Sequence, residues 1–317
     1  MAKLQDTKFP LIIISGPTGI GKTQMALDLA AECGGEIISA DSMQVYRYMD
    51  IGTSKASPRQ RVRVQHHLID IVDPDEAFNA ALYASLAAQA IEIIMQRQRP
   101  VFVVGGTGLY IRALLGGIVT APGPDEKLRA FYQEELRRHG KAHLYHLLQG
   151  RDEKAARRIA PHDTVRIIRA LEVWDTCGRS IVEKQQDHQF GDTRYRCLKI
   201  GLTAPRREIY ERIERRTEKM MDAGLVGEVE NLLDRGYPAS LKPMQSLGYK
   251  HMVNYLTGVY DRGEAVRLMK RDTRNYAKRQ LSWFRRDSEI QWFARGDVDA
   301  VRKLLQNYLT SEGYKYS

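Results

Sequence analysis

The chain has 317 residues, 43% of them hydrophobic, which allows a sizeable core in more than one average domain and excludes a disordered protein. Lysine and arginine outnumber aspartate and glutamate by 49 to 39, and the formal charge of +10 favours a polyanionic partner such as nucleic acid. Cys33, Cys177 and Cys197 form no C-x-x-C pair, which argues against a disulfide framework or a four-cysteine zinc site; no apolar run approaches the roughly 18 residues of a membrane span, so a cytoplasmic protein is expected.

The first element is the apolar run Leu11 to Ser15, which reads as a buried parallel strand leading into a glycine-rich turn. The turn, Gly16, Pro17, Thr18, Gly19, Ile20, Gly21, Lys22 and Thr23, matches G-x-x-x-x-G-K-[ST] in full, and the amphipathic stretch Gln24 to Ala31 follows it. Glycines at 16, 19 and 21 let backbone N–H groups turn inward on phosphate oxygens, beside the positive end of a helix. Lys22 is placed to neutralise a terminal phosphate and Thr23 to ligate Mg²⁺. Such a loop reads a diphosphate, which nucleotides and prenyl diphosphates share.

Further strands are expected at Glu36 to Asp41, His67 to Val72, Val101 to Gly106 and Cys197 to Thr203, with helical stretches between several of them. Asp41 follows the second strand and falls at the crevice where a doubly wound sheet binds ligands; it suits a general base, a ribose contact, a water-mediated metal contact or a helix N-cap. Thr107, in Gly105-Gly-Thr-Gly108, reaches the same crevice or simply makes a tight turn. His66 and His67 lack spaced ligand partners and read as structural.

Ala121 to Asp125 and Gln185 to Asp192 are breaker clusters, and between them Asp125 to His139 and Asp163 to Cys177 have helix patterns without strands. The expected fold is therefore α/β, a P-loop parallel sheet core flanked by helices, residues 1–119 and 195–317, with an all-helical insertion domain at 120–194. From Pro205 onward the pattern is helical. Arg216 interrupts the apolar stripe Ile209, Ile213, Met220, so it must snorkel, pair with a carboxylate or meet an anion. Arg262 to Arg286 carries nine basic residues against two acids, with Tyr276, Trp283 and Phe284 interleaved, which suits RNA or a solvated basic helix.

Taken in order, Gly16 to Thr23, Asp41 to Gln44, Met49 to Lys55, Gly105 to Tyr110, Val165 to Glu172, Gln245 to Lys250 and Lys278 to Arg285 resemble the tRNA dimethylallyltransferase family, bacterial type. The resemblance implies transfer of a dimethylallyl group from dimethylallyl diphosphate to the exocyclic amine of the adenosine immediately 3′ of the anticodon. It implies Asp41 as general base, Arg216 with Lys22 on the departing diphosphate, Thr107 in the catalytic crevice, and Mg²⁺ as cofactor. It further implies tRNA contacts at Asp41, Ser42, Met43, Gln44, Thr107 and Arg129; at Val165, Arg166, Ile167, Ile168 and Arg169; and at Gln245, Ser246, Leu247, Gly248, Tyr249 and Lys250. The last set is Lys278, Arg279, Gln280, Leu281, Ser282, Trp283, Phe284 and Arg285. A monomer that binds the anticodon arm of tRNA and no membrane is the family expectation. The rival reading from the loop alone is a P-loop small-molecule kinase.

Overall fold

The structure, a computed structural model, describes residues 8–117, 122–123, 125–187 and 194–314. The expected boundary between 119 and 120 and parts of the two breaker clusters, Ala121, Pro124 and residues 188–192, lie outside the described residues. The chain divides into two compact units, Met1–Gly116 with Thr193–Ser317, and Gly117–Asp192.

In the first unit the chain runs β1 (Phe9–Ser15), α1 (Lys22–Glu32), β2 (Glu36–Ser39), α2 (Pro58–Arg63), β3 (His66–His67), α3 (Ala80–Gln96), β4 (Val101–Gly105) and α4 (Gly108–Gly116). The second unit holds α5 (Glu126–Arg151), α6 (Glu153–Ala156), α7 (Thr164–Cys177) and α8 (Ile181–Asp187). The first then resumes with β5 (Tyr195–Thr203), α9 (Arg206–Asp222), α10 (Leu225–Asp234), α11 (Tyr249–Leu256), α12 (Arg262–Phe284), β6 (Gln291–Ala294) and α13 (Val298–Ser311).

The six strands form one parallel sheet in the order β3-β2-β4-β1-β5-β6. Successive residues of a strand point to opposite faces, so a strand covered on both sides is apolar throughout. In β1, Leu11 and Ile13 pack into one core while Ile12 and Ile14 pack into the other; Val101 and Val103 of β4 divide from Phe102 and Val104 in the same way. Burying each of these side chains contributes about 1.5–3 kcal/mol. Central β1 and β4 therefore anchor the two loops that leave their C-terminal ends.

Two expectations need correction. The strand expected from His67 to Val72 shortens to His66–His67 and a single bridge between Tyr46 and Val72. Leu68 and Asp70 have φ of 60° and 57°, incompatible with extended chain, and the Asp70 carboxylate is turned onto Lys55 and Arg61 at 2.5 and 2.6 Å. The C-terminal part is also not wholly helical, because Gln291–Ala294 adds an edge strand along β5. Its four residues give no alternation long enough to stand out from the flanking helices.

In the second unit, Asp125 and Asp163 cap α5 and α7 by accepting from backbone N–H groups two or three residues on. The pattern expected to end at His139 is followed by Gly140 at φ 81° and ψ 177°, a non-helical residue that ends the first stretch of α5, and a second helical stretch runs on to Arg151. Tyr132, Leu144, Leu148, Ile167 and Leu171 fill this unit's own core.

Candidate active site

The phosphate loop leaves β1 with Gly16, Gly19 and Gly21 at φ of 142°, 81° and 107°, conformations an L side chain rarely adopts. A Cβ at Gly16 would also lie 2.7 Å from the Leu202 carbonyl oxygen of β5. Lys22 begins α1, and its Nζ donates to Pro17 O at 2.9 Å, folding the side chain back across the loop. Burial pushes the Lys22 ammonium down to about 7, the Arg216 charge adds to this, and Asp41 opposes it. Thr23 sits exposed in the first turn of α1.

Arg216 of α9 donates to Thr18 Oγ1 at 3.0 Å and to Thr53 O at 3.4 Å. Both partners are neutral, and no carboxylate among the described residues lies within ion-pairing reach of it. Of the readings its spacing left open, a direct ion pair is therefore not seen among the described residues, and Asp41 is the carboxylate that acts on it electrostatically. Burial lowers its pKa and the Asp41 carboxylate partly restores it. Such a guanidinium, half-buried with spare donors facing two openings, is an arrangement that receives an anion.

Asp41 follows β2, and its Oδ1 accepts from Met43 N at 2.9 Å, so it caps a turn and not a helix. Thr107, between β4 and α4, accepts from Ser42 N at 3.1 Å through Oγ1, while its own N–H donates to Ala40 O at 3.1 Å. Thr107 thus fixes the turn that carries Asp41. The glycines around it answer to packing: Cβ atoms at Gly105 and Gly108 would lie 2.1 Å from Ala40 O and from Trp283 Nε1. Tyr276 of α12 faces Asp41, Thr107 and Gln280, and burial first, with the Asp41 charge second, pushes its phenol up to about 12.

Two openings flank this constellation. A cavity of about 370 Å³ is lined by Thr18, Asp41, Ser42, Met43, Arg216, Gln245, Ser246, Leu247, Lys250, Tyr276 and Arg279, among others. A cleft of about 510 Å³ on the loop side is lined by Gly19, Gly21, Lys22, Thr23, Lys55, Arg212, Arg215, Arg216 and Lys219. Arg216 borders both. One opening is mixed polar and apolar, and the other is a cationic trough.

The IPP transferase family matches the chain across residues 44–287. The chain belongs to this family. It is 54% identical over 302 residues to tRNA dimethylallyltransferase 2 of Syntrophus aciditrophicus, covering 95% of this chain and 97% of that one. It is 50% identical over 305 residues to the tRNA dimethylallyltransferase of Geobacter metallireducens, with 96% and 99% covered. The solved tRNA isopentenylpyrophosphate transferase of Bacillus halodurans superposes with a TM-score of 0.71 at 37% identity, over 96% of this chain and 98% of that chain. A eukaryotic dimethylallyltransferase crystallised acting on tRNA shares the fold, with a TM-score of 0.79 at 24% identity over 98% and 81%. Membership in the IPP transferase family does not favour the small-molecule kinase reading.

Within this family member, Lys22 lines the trough, Asp41, Gln245, Ser246, Leu247, Lys250 and Arg279 line the cavity, and Arg216 borders both, while Thr107 stands behind them, bonded to Ser42. On α12, Lys278, Arg279, Ser282 and Arg285 are exposed, Leu281 and Trp283 are half-buried, and Gln280 and Phe284 are turned into the core. Tyr249 is fully buried and Gly248 buried with it. In the second unit Val165 and Arg166 are exposed, Ile167 and Ile168 are core, and Arg129 and Arg169 both reach the buried Glu172 carboxylate at 3.0 and 3.3 Å.

Sequence reasoning passed over Glu228, whose carboxylate accepts from Asp50 N, Ile51 N and Gly52 N at 2.7–3.0 Å and from the Tyr249 hydroxyl at 2.6 Å. It fixes the segment that offers Thr53 O to Arg216. A lone glutamate on a helix gives no local signal of such a role. Arg212, Arg215 and Lys219 did leave one: with Arg216 they recur at spacings of three, one and three, a basic stripe along one side of α9.

Proposed function

We propose that this chain transfers the dimethylallyl group of dimethylallyl diphosphate to the exocyclic amine of the adenosine immediately 3′ of the anticodon, releasing diphosphate. The observation that carries this reading is Arg216, which borders both the cationic trough beside the phosphate loop and the cavity holding Asp41. A diphosphate bound on Gly16–Thr23 meets main-chain N–H groups, Lys22 and Arg216, while its allylic carbon faces the cavity. The adenosine must leave its stack to reach that carbon.

The amine nitrogen attacks the allylic carbon as the C–O bond to diphosphate breaks. Negative charge grows on the departing oxygen, where Arg216, Lys22 and the loop amides stabilise it. The attacking amine acquires positive charge, and Asp41 accepts the proton it sheds. Thr107 keeps Asp41 aimed by holding Ser42 N–H.

Thr23 offers an exposed hydroxyl beside the loop, and no cluster of three or more His, Cys, Asp or Glu side chains capable of holding a metal occurs among the described residues. That hydroxyl fits Mg²⁺, which keeps waters and substrate phosphate oxygens around few protein ligands. When bound, it would supply charge neutralisation on the diphosphate, with Thr23 as its protein ligand.

The partner on the RNA side is the anticodon arm of tRNA. The exposed face of α12 and the Gln245–Lys250 loop would take it from the first unit, and Arg129 with Val165 to Arg169 from the second. We take the working form to be a cytoplasmic monomer, as the family resemblance implies. Among the described residues no helix is long and apolar enough to cross a membrane. The test is to incubate the protein with dimethylallyl diphosphate, Mg²⁺ and unmodified tRNA, digest the RNA and weigh its nucleosides. One adenosine gaining a single five-carbon allyl group is the expected result, and unmodified adenosine under multiple-turnover conditions overturns the reading.

A further inference from the structure

Gln280 stands on the basic helix α12 between exposed Arg279 and half-buried Leu281, yet it is itself only 6% exposed. Its side-chain amide spans two loops. Oε1 accepts from Thr18 N in the phosphate loop at 2.8 Å, and Nε2 donates to Gly106 O beside Thr107 at 2.8 Å. A Cβ on Gly106 would lie 2.2 Å from Nε2, so the glycine leaves the amide its space.

Thr18 is consequently held twice, through its N–H by α12 and through its hydroxyl by Arg216 of α9. An amide satisfied at both ends in a dry site fixes position tightly, because breaking either bond strands a buried polar group. The helix whose outer face carries Lys278 and Arg279 is therefore bolted to the loop that cradles diphosphate.

We infer that Gln280 is a positioning residue that couples the two substrate sites: RNA seated on the outer face of α12 favours the loop geometry that binds diphosphate, and diphosphate favours the helix placement that binds RNA. The coupling is reciprocal by thermodynamic necessity. A residue that merely filled space would alter stability and leave the ratio of affinities untouched. The inference rests on the proposed function only in taking RNA and diphosphate as the two ligands.

Inorganic pyrophosphate with Mg²⁺ serves as the probe, titrated into the full chain with and without an unmodified anticodon stem-loop RNA. The wild-type protein should bind it at least about fivefold tighter when RNA is present. Gln280→Met, of similar volume but lacking both bonds, should still bind each ligand alone and bring that ratio to one. Gly106→Ala, which displaces the amide from the opposite side, should do the same and decides the matter if Gln280→Met fails to fold. A wild-type ratio of one, or a wild-type ratio retained in these variants, overturns the inference. Cooperative binding without formation of modified nucleoside would sink the transferase reading instead and leave the coupling standing.

Discussion

Asp41 lines the cavity with one carboxylate oxygen tied to Met43 N, and it is the acidic side chain on that wall. Asp41→Asn keeps the turn but cannot take a proton. Turnover at saturating substrate should fall by about 10²–10⁴-fold while tRNA affinity persists; wild-type turnover would remove Asp41 from the base role. Lys22 offers a second test, through pH. Its pKa in the folded chain, about 7, lies below the 10.5 of an unperturbed lysine. Between those values the unfolded chain binds more protons, so this group's contribution to stability rises with pH across that window and is lost as pH falls through about 7. An anion on the loop favours the ammonium and reverses the shift. Pyrophosphate binding measured calorimetrically at about pH 8 in buffers of different ionisation heat should therefore show proton uptake that Lys22→Arg, charged throughout, lacks. Equal uptake by both proteins would mean that Lys22 is already charged before ligand arrives. At this scale the phosphate loop was legible, because its glycines and lysine are contiguous. Gln280 was not: the motif pointed to an RNA contact, and only tertiary packing shows its amide turned inward.

Among elements, α12 divides its labour by face. Lys278 and Arg279, with Arg285 just past its end, are exposed while Gln280 and Phe284 are buried, an exposed basic face that suits RNA or solvent alike. Lys278→Ala should weaken tRNA binding and lower the slope of log affinity against log salt by about 0.7–0.9; an unchanged slope would take Lys278 off the phosphate backbone. The segment from Met49 to Lys55 depends on α10 through Glu228. Glu228→Gln keeps size but gives up charge-assisted bonds to three backbone N–H groups, and should lower stability by about 1–3 kcal/mol in chemical denaturation. A change near zero would mean that the segment holds itself in place. Apolar runs announced β1, β2 and β4 because each is buried on both faces along most of its length, and β5 through the buried residues 200–202. They misled at 67–72, where Leu68 and Asp70 turn left-handed so that Asp70 can meet Lys55 and Arg61, an ion-pair demand that no periodicity encodes.

For the whole molecule, the order β3-β2-β4-β1-β5-β6 puts β1 beside β4 and β5, and β4 beside β2. The loops after β1, β2 and β4 consequently leave the same edge of the sheet as neighbours, which is why residues as far apart as Lys22, Asp41 and Thr107 lie around the two adjoining openings. That much followed from parallel strands and glycine-rich loops. The contribution of α9 and α12 did not, since their register against the sheet is set by contacts far apart in the chain, such as Arg212 Nε to Gly19 O at 2.7 Å. The most direct measurement is a solved complex with Mg²⁺, an anticodon stem-loop and a dimethylallyl diphosphate analogue whose bridging oxygen is replaced by sulfur. The account predicts phosphates on Gly16–Thr23 within reach of Lys22 and Arg216, and the allylic carbon between Arg216 and the adenine amine beside Asp41. A donor bound away from Lys22, or the target adenine bound away from Asp41, would contradict it.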